Sequence, residues 1–237
     1  MRRVAAAALA GLVSCAAATT AHASVAALVV NGVPEIHPAA GTTRATAAAR
    51  LPGPFAVGAG LRLTPPATRV VRYTYHESMF AAAVPLRPRG RAVLVGNGNF
   101  DRPGATPGPR YIVLPSRGRG TGPVTAADIV LRRGTPVVAP VSGRVVAVTP
   151  YRLYCNKPDT RVIIRPDGRP DLRLVLFHLD RVRLQRGDRV ERDRTRLGRV
   201  RLFRNSRAQY DDFVPGNHPH IHLEVQRGAV FPLPGCR

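Results

Sequence analysis

The chain reads as an all-β, sheet-rich fold, an antiparallel β-sandwich from about Arg91 onward. Three observations predict it. Short runs rich in Val, Ile and Leu recur along this stretch, and Gly, Pro and Asp turns separate them. Most of the runs alternate apolar and polar residues, the period of a half-buried strand. No long stretch repeats its apolar residues every three to four positions, as a surface helix would.

Two strand-like pieces come first. Ala26 to Val30 is one, and Thr68 to Tyr75 is the other, where Val70, Val71, Tyr73 and Tyr75 are strand formers. Between them Ala, Pro, Gly and Thr dominate from Val33 to Pro66, a composition suited to loop or linker. The regular series follows: Ala92 to Val95, Tyr111 to Leu114, Pro136 to Ala139, Arg144 to Val148, Arg161 to Arg165, Leu172 to Phe177 and His220 to Gln226. The expected organisation is therefore 1–23 as a leader, 24–90 as a partly irregular N-terminal region, and 91–237 as the sheet-rich domain.

The leader has the order of a secretory signal peptide. Arg2 and Arg3 precede an uncharged run from Val4 to Ala18, and Ala21-His22-Ala23 offers a cleavage site before Ser24. The run is too short and Ala-rich to span a membrane, and no later segment is apolar enough to do so. Leu12-Val13-Ser14-Cys15 offers a competing lipobox, in which Cys15 would be the lipidated first residue. Either way the expected location is the periplasm, cell wall or extracellular space.

The formal charge is +22, almost all of it from Arg, with Lys157 the only lysine. The arginines are scattered, which fits a compositional bias as well as it fits attraction to anionic envelope polymers. Nucleic acid would suit the charge but not the leader, and no DNA-reading motif is present. Oligomeric state is not legible. Cleavage after Ala23 leaves two cysteines, Cys155 and Cys236. In an oxidising compartment they are expected to pair, with two free thiols as the alternative; a loop of that size would stabilise by about 4–5 kcal/mol.

The histidines carry the chemistry. His178 ends the apolar run Leu174-Val175-Leu176-Phe177. His218, His220 and His222 alternate in His218-Pro219-His220-Ile221-His222. On a strand His220 and His222 face the same way with Cα atoms ~6.5–7 Å apart, so one imidazole can hold a metal while the other handles protons. Asp128, in Ala126-Ala127-Asp128-Ile129-Val130, precedes Gly134-Thr135-Pro136-Val137 and the small-residue stretch Ala139 to Val146.

These pieces, in this order, resemble the lysostaphin-type (LytM-like) peptidoglycan zinc endopeptidases, whose domain is also called the duplicated hybrid motif. Asp128-Ile129, Gly134 to Val137, Ala139 to Val146, His178-Leu179, Gly187-Asp188-Arg189-Val190, Leu197-Gly198 and His220-Ile221-His222-Leu223-Glu224 match in sequence order, over about Tyr111 to Gln226. The resemblance implies one Zn2+ ion held by Asp128 and His222. It also implies a base at His220, and His178 orienting the water or stabilising the oxyanion. Peptide bonds of peptidoglycan cross-links are the implied substrate.

One position departs from the pattern. The family's first ligand His stands four residues before its Asp, and that position is Val124. No histidine lies between His76 and His178. Either His76, or its neighbour Glu77, reaches in as third ligand, or the metal is held weakly by two protein ligands. The remaining alternative is a catalytically degenerate member that binds peptidoglycan or regulates another hydrolase. His218 is a poorer substitute, since an extended strand puts its Cα ~13 Å from that of His222.

Overall fold

The computed structural model describes residues 53–93 and 109–233. The leader, Cys15, the strand expected at Ala26 to Val30, and Cys236 lie outside them. Fifteen strands follow in chain order: β1 Ala56–Gly58, β2 Leu61–Leu63, β3 Val70–His76, β4 Leu86–Pro88, β5 Arg91–Ala92, β6 Arg110–Val113, β7 Ala126–Leu131, β8 Pro136–Val138, β9 Gly143–Leu153, β10 Lys157–Pro166, β11 Leu172–Phe177, β12 Leu179–Asp180, β13 Arg189–Val190, β14 Arg196–Val200 and β15 His220–Arg227. One short 3-10 turn, Gln209–Asp212, precedes β15. Among the described residues no helix is long and apolar enough to cross a membrane.

The fold is all-β, as the sequence predicts. A nine-stranded sheet runs in the order β13-β9-β10-β11-β15-β7-β3-β6-β5, and two three-stranded sheets, β2-β1-β4 and β12-β14-β8, accompany it. The large sheet is antiparallel except where β6 pairs parallel to both β3 and β5. The described strands before Arg91 are part of this assembly. β3 lies inside the large sheet, between β7 and β6, and the described residues all fall in one compact unit.

Strand alternation sorts the large sheet into two faces. Tyr73 and Tyr75 of β3, Ala127, Ile129 and Leu131 of β7, Leu172, Leu174 and Leu176 of β11, and Ile221, Leu223 and Val225 of β15 enter the main core. There they meet Phe55, just before β1, Leu63 and Leu86 from one small sheet, and Val137, Leu179, Leu197 and Val200 from the other. The intervening residues, Thr74, His76, Asp128, His220, His222 and Glu224, take the opposite face. Burial of a polar row is costly unless its groups are partnered, and this face is where the site lies.

The hairpin β9–β10 depends on a glycine. A Cβ added at Gly143 would stand 2.3 Å from the carbonyl oxygen of Arg165, across the pair that joins Gly143 to Pro166. The neighbour is backbone and cannot retreat without breaking the ladder. Gly143→Ala is expected to destabilise by about 1–3 kcal/mol, the usual range for overpacking, read as a lower urea midpoint with unchanged m-value.

Candidate metal centre and cleft

Strand register assembles the site. On β7 Asp128 stands directly opposite Thr74 of β3 on one side and His222 of β15 on the other. His76 lies two residues beyond Thr74, and His220 two residues before His222, so both keep the same face. His76, Asp128 and His222 each offer a ligand-type atom, and these atoms all lie within 4.8 Å of one another.

The ring protons are fixed by neighbours. His76 Nδ1 donates to the carbonyl of Glu77 at 2.8 Å, because a carbonyl can only accept. Its Nε2 is buried, makes no hydrogen bond, and lies 3.2 Å from Asp128 Oδ1. This nitrogen thus faces the Asp128 carboxylate in a dry place, a position that either a proton or a bound cation would satisfy. His222 places Nδ1 2.8 Å from Asp128 Oδ1 and Nε2 2.8 Å from Glu224 Oε1. Glu224 is held in turn by the Ser78 hydroxyl at 2.7 Å and the Gln226 amide at 2.8 Å. A carboxylate behind an imidazole is the usual outer support of a metal-binding histidine.

The charges follow from these contacts. Burial works against the Asp128 carboxylate, but His76 and His220 nearby and the His222 hydrogen bond outweigh it and hold its pKa well below the usual range. Burial likewise disfavours a charged His222, yet the Asp128 and Glu224 hydrogen bonds win, and its pKa rises to about 10. For His220 burial wins, and its pKa falls to about 3.

His220 and His178 stand beside the cluster, with ring centroids 4.6 Å apart. The Tyr210 hydroxyl donates to the His218 carbonyl at 2.6 Å, so its oxygen accepts from His220 Nδ1 at 3.0 Å. His220 Nε2 is left with its lone pair, 3.7 Å from Asp128 Oδ1. His178 Nδ1 donates to the buried Asp159 carboxylate at 2.8 Å, which also accepts from the Tyr151 hydroxyl opposite it on the β9–β10 hairpin. His178 has φ +66°, a left-handed backbone at the break between β11 and β12, which turns the chain away from the large sheet.

Of the residues singled out in the sequence, His76, Asp128, His178, His220 and His222 all line one cleft of about 420 Å³. Glu77 does not join the cluster. Its carboxylate turns to the Ser116 hydroxyl and the backbone N–H groups of Arg117 and Arg119, at 2.6–2.9 Å. Val124 packs against the main core and is not part of the His76–Asp128–His222 cluster. Cys155, at the cleft rim, is disulfide-bonded. Sequence reading missed the supporting groups. Glu224 carried a signal, since it lies two residues after His222 and shares its face. Asp159 and Tyr210 carried none, because their partners, 8 to 19 residues away, are brought to them by strand pairing and a loop with no local motif.

Residues 122–232 match the family model of peptidase family M23. The chain carries a peptidase family M23 domain. The histidine completing the cluster, His76, lies outside the matched segment, on β3. Among solved structures, a zinc containing peptidase from Vibrio cholerae is 22% identical, over 45% of this chain and 29% of that one, with TM-score 0.32. A peptidase M23 from Pseudomonas aeruginosa is 23% identical, over 42% of this chain and 37% of that one, with TM-score 0.31. The NMR solution structure of lysostaphin is 21% identical, over 45% of this chain and 37% of that one, with TM-score 0.32. The chain therefore spans well under two thirds of each of these relatives. No curated protein matches it.

Proposed function

We propose that this chain is an exported zinc endopeptidase that cuts peptide bonds of peptidoglycan cross-links. The observation that carries the reading is the meeting of His76 Nε2, Asp128 Oδ1 and His222 Nδ1 within 4.8 Å, with the first of these buried and without a hydrogen bond. Two imidazoles and a carboxylate form a donor set that suits zinc and leaves room for an exchangeable fourth position. The M23 domain supports the peptidase class. The family resemblance supplies the peptidoglycan substrate, and the signal-like leader supplies export.

When bound, zinc would supply Lewis acidity toward an amide carbonyl and toward water. The protein supplies the rest. Glu224 holds the His222 ring so that Nδ1 faces the cluster. Tyr210 holds the proton of His220 on Nδ1, which leaves Nε2 to accept a proton at the cleft. Asp159 holds the proton of His178 on Nδ1 in the same way, so that its Nε2 can orient water or the reacting amide. Phe177 walls the site, its ring 5.5 Å from that of His222.

Elemental analysis of the dialysed chain tests this reading, together with release of soluble peptides from purified peptidoglycan. About one zinc per chain and chelator-sensitive release are expected. Absence of zinc would leave a non-catalytic, wall-binding module in its place. Calorimetry adds a signed prediction. Free of metal, His222 holds two ring protons at neutral pH, since its pKa is raised to about 10. A zinc-ligating imidazole cannot keep the proton on its ligating nitrogen. Binding at pH 7.5 should therefore release about one proton, seen as a dependence of the heat on buffer ionisation enthalpy. Zinc affinity should rise about tenfold per pH unit between 7 and 9. A heat independent of the buffer would contradict the His222 assignment.

A further inference from the structure

We infer that Arg119 is a carboxylate-binding residue of this cleft, and that the peptide it takes is anionic, with a carboxylate close to the bond that is cut. The inference rests on the endopeptidase reading of the same site.

Arg119 shares an anchor with the metal cluster. Its Nη1 donates to the Glu77 carbonyl at 2.8 Å, the same oxygen that accepts from His76 Nδ1. The guanidinium is therefore fixed beside His76, and it lines the cleft with Asp128, His220 and His222. The backbone N–H of Arg119 meanwhile donates to the Glu77 carboxylate at 2.9 Å. This two-point hold on one residue keeps the side chain in place.

What Arg119 lacks is a carboxylate bonded to its guanidinium, since those of Asp128 and Glu77 act on it only through space. Its Nε–H and both Nη2 hydrogens have no acceptor among the described residues, so most of its five donors are unspent. Glu77 cannot serve, because Ser116, Arg117 and Arg119 already occupy its carboxylate from their own side. Other cleft arginines are engaged. Arg201 pairs with Asp180 at 3.0 Å, Arg207 pairs with Asp212, and Arg117 Nε donates to Gln209 at 2.6 Å. Burial, the largest influence on Arg119, and the nearby Arg117 work against its charge and outweigh the support of the Asp128 and Glu77 carboxylates. A half-buried fork with free, coplanar donors fits a carboxylate bidentately and fits a neutral amide poorly.

Two fluorescein-labelled, C-terminally amidated alanine peptides provide the probe. One carries a single glutamate, and the other carries glutamine at the same place. Fluorescence anisotropy is read with the zinc-supplemented chain and with R119Q and R119K. R119Q should keep the wild-type circular dichroism spectrum and zinc content. The glutamate peptide is expected to bind at least about tenfold tighter than the glutamine peptide. R119Q should bring it down to the glutamine level, and R119K should recover part of the difference. Equal binding of the two peptides, no measurable binding of either, or a preference that survives R119Q would overturn the inference. So would an equal fall in turnover on both peptides in R119Q, which would assign Arg119 to the developing oxyanion instead. The two readings fail separately. A carboxylate preference in a chain that never cuts peptidoglycan would sink the endopeptidase reading alone. Cutting without the preference would sink the role of Arg119 alone.

Discussion

His76→Ala is expected to lower zinc affinity by more than about 100-fold, beyond the 10–100-fold cost typical of disturbing only the outer support of a ligand. The substitution removes a nitrogen that is already aimed, with its ring proton held by the Glu77 carbonyl and its Nε2 3.2 Å from Asp128. Titration with a chromophoric chelator measures the loss. Two controls make it specific. His218→Ala should leave affinity within about twofold, since His218 meets Tyr210 through a backbone carbonyl that alanine keeps. Glu77→Gln disturbs the loop at Ser116 to Arg119 but keeps the carbonyl that orients His76, so zinc should be retained. Wild-type affinity in His76→Ala would remove His76 from the ligand set and return the chain to two ligands.

His220→Ala should do the opposite, keeping the metal and losing the reaction. Its Nε2 lies 3.7 Å from Asp128, and it is not one of the three clustered ligand atoms. Burial lowers its pKa to about 3 in the metal-free site, so the ring is neutral there at any working pH and Nε2 carries no proton. Removing a general base costs 10²–10⁴ in rate, and turnover should fall by about that much with zinc content unchanged. Tyr210→Phe takes away the oxygen that accepts from His220 Nδ1, so a smaller fall is expected, with recovery as pH is varied. Full turnover in His220→Ala would move the proton chemistry to His178.

The sequence reading went furthest where one strand carries its own signal. The alternation His220, His222, Glu224 against Ile221, Leu223, Val225 is visible in a single strand, and β15 is built on it. The runs at Leu172 to Phe177 and Arg161 to Arg165 likewise became β11 and the second half of β10. β7 escaped the reading because all six of its residues are buried, which erases the polar beats of the period. Asp128 therefore read as a residue ahead of a turn, whereas it lies within a buried strand. The third member of the cluster was only one of several alternatives. Nothing local in Tyr73-Thr74-Tyr75-His76 states that this strand pairs with residues some fifty positions later, and that pairing alone puts His76 beside Asp128. Asp159 was invisible for the same reason, because its partners Tyr151 and His178 meet it only once β9, β10 and β11 lie side by side.

The row across β3, β7 and β15 has a mechanical consequence. Neighbouring strands of one sheet are about 4.8 Å apart and held by backbone bonds, so the clustered groups form a plate without hinges. Arg117, Arg119 and Gln209 instead sit on the connections that rim it, where loops tolerate change better than a ladder does. Grafting a different rim between Pro115 and Val124 should therefore redirect which peptides enter while leaving the plate intact. The reverse exchange, a new plate under the old rim, would demand that three strands be rebuilt at once.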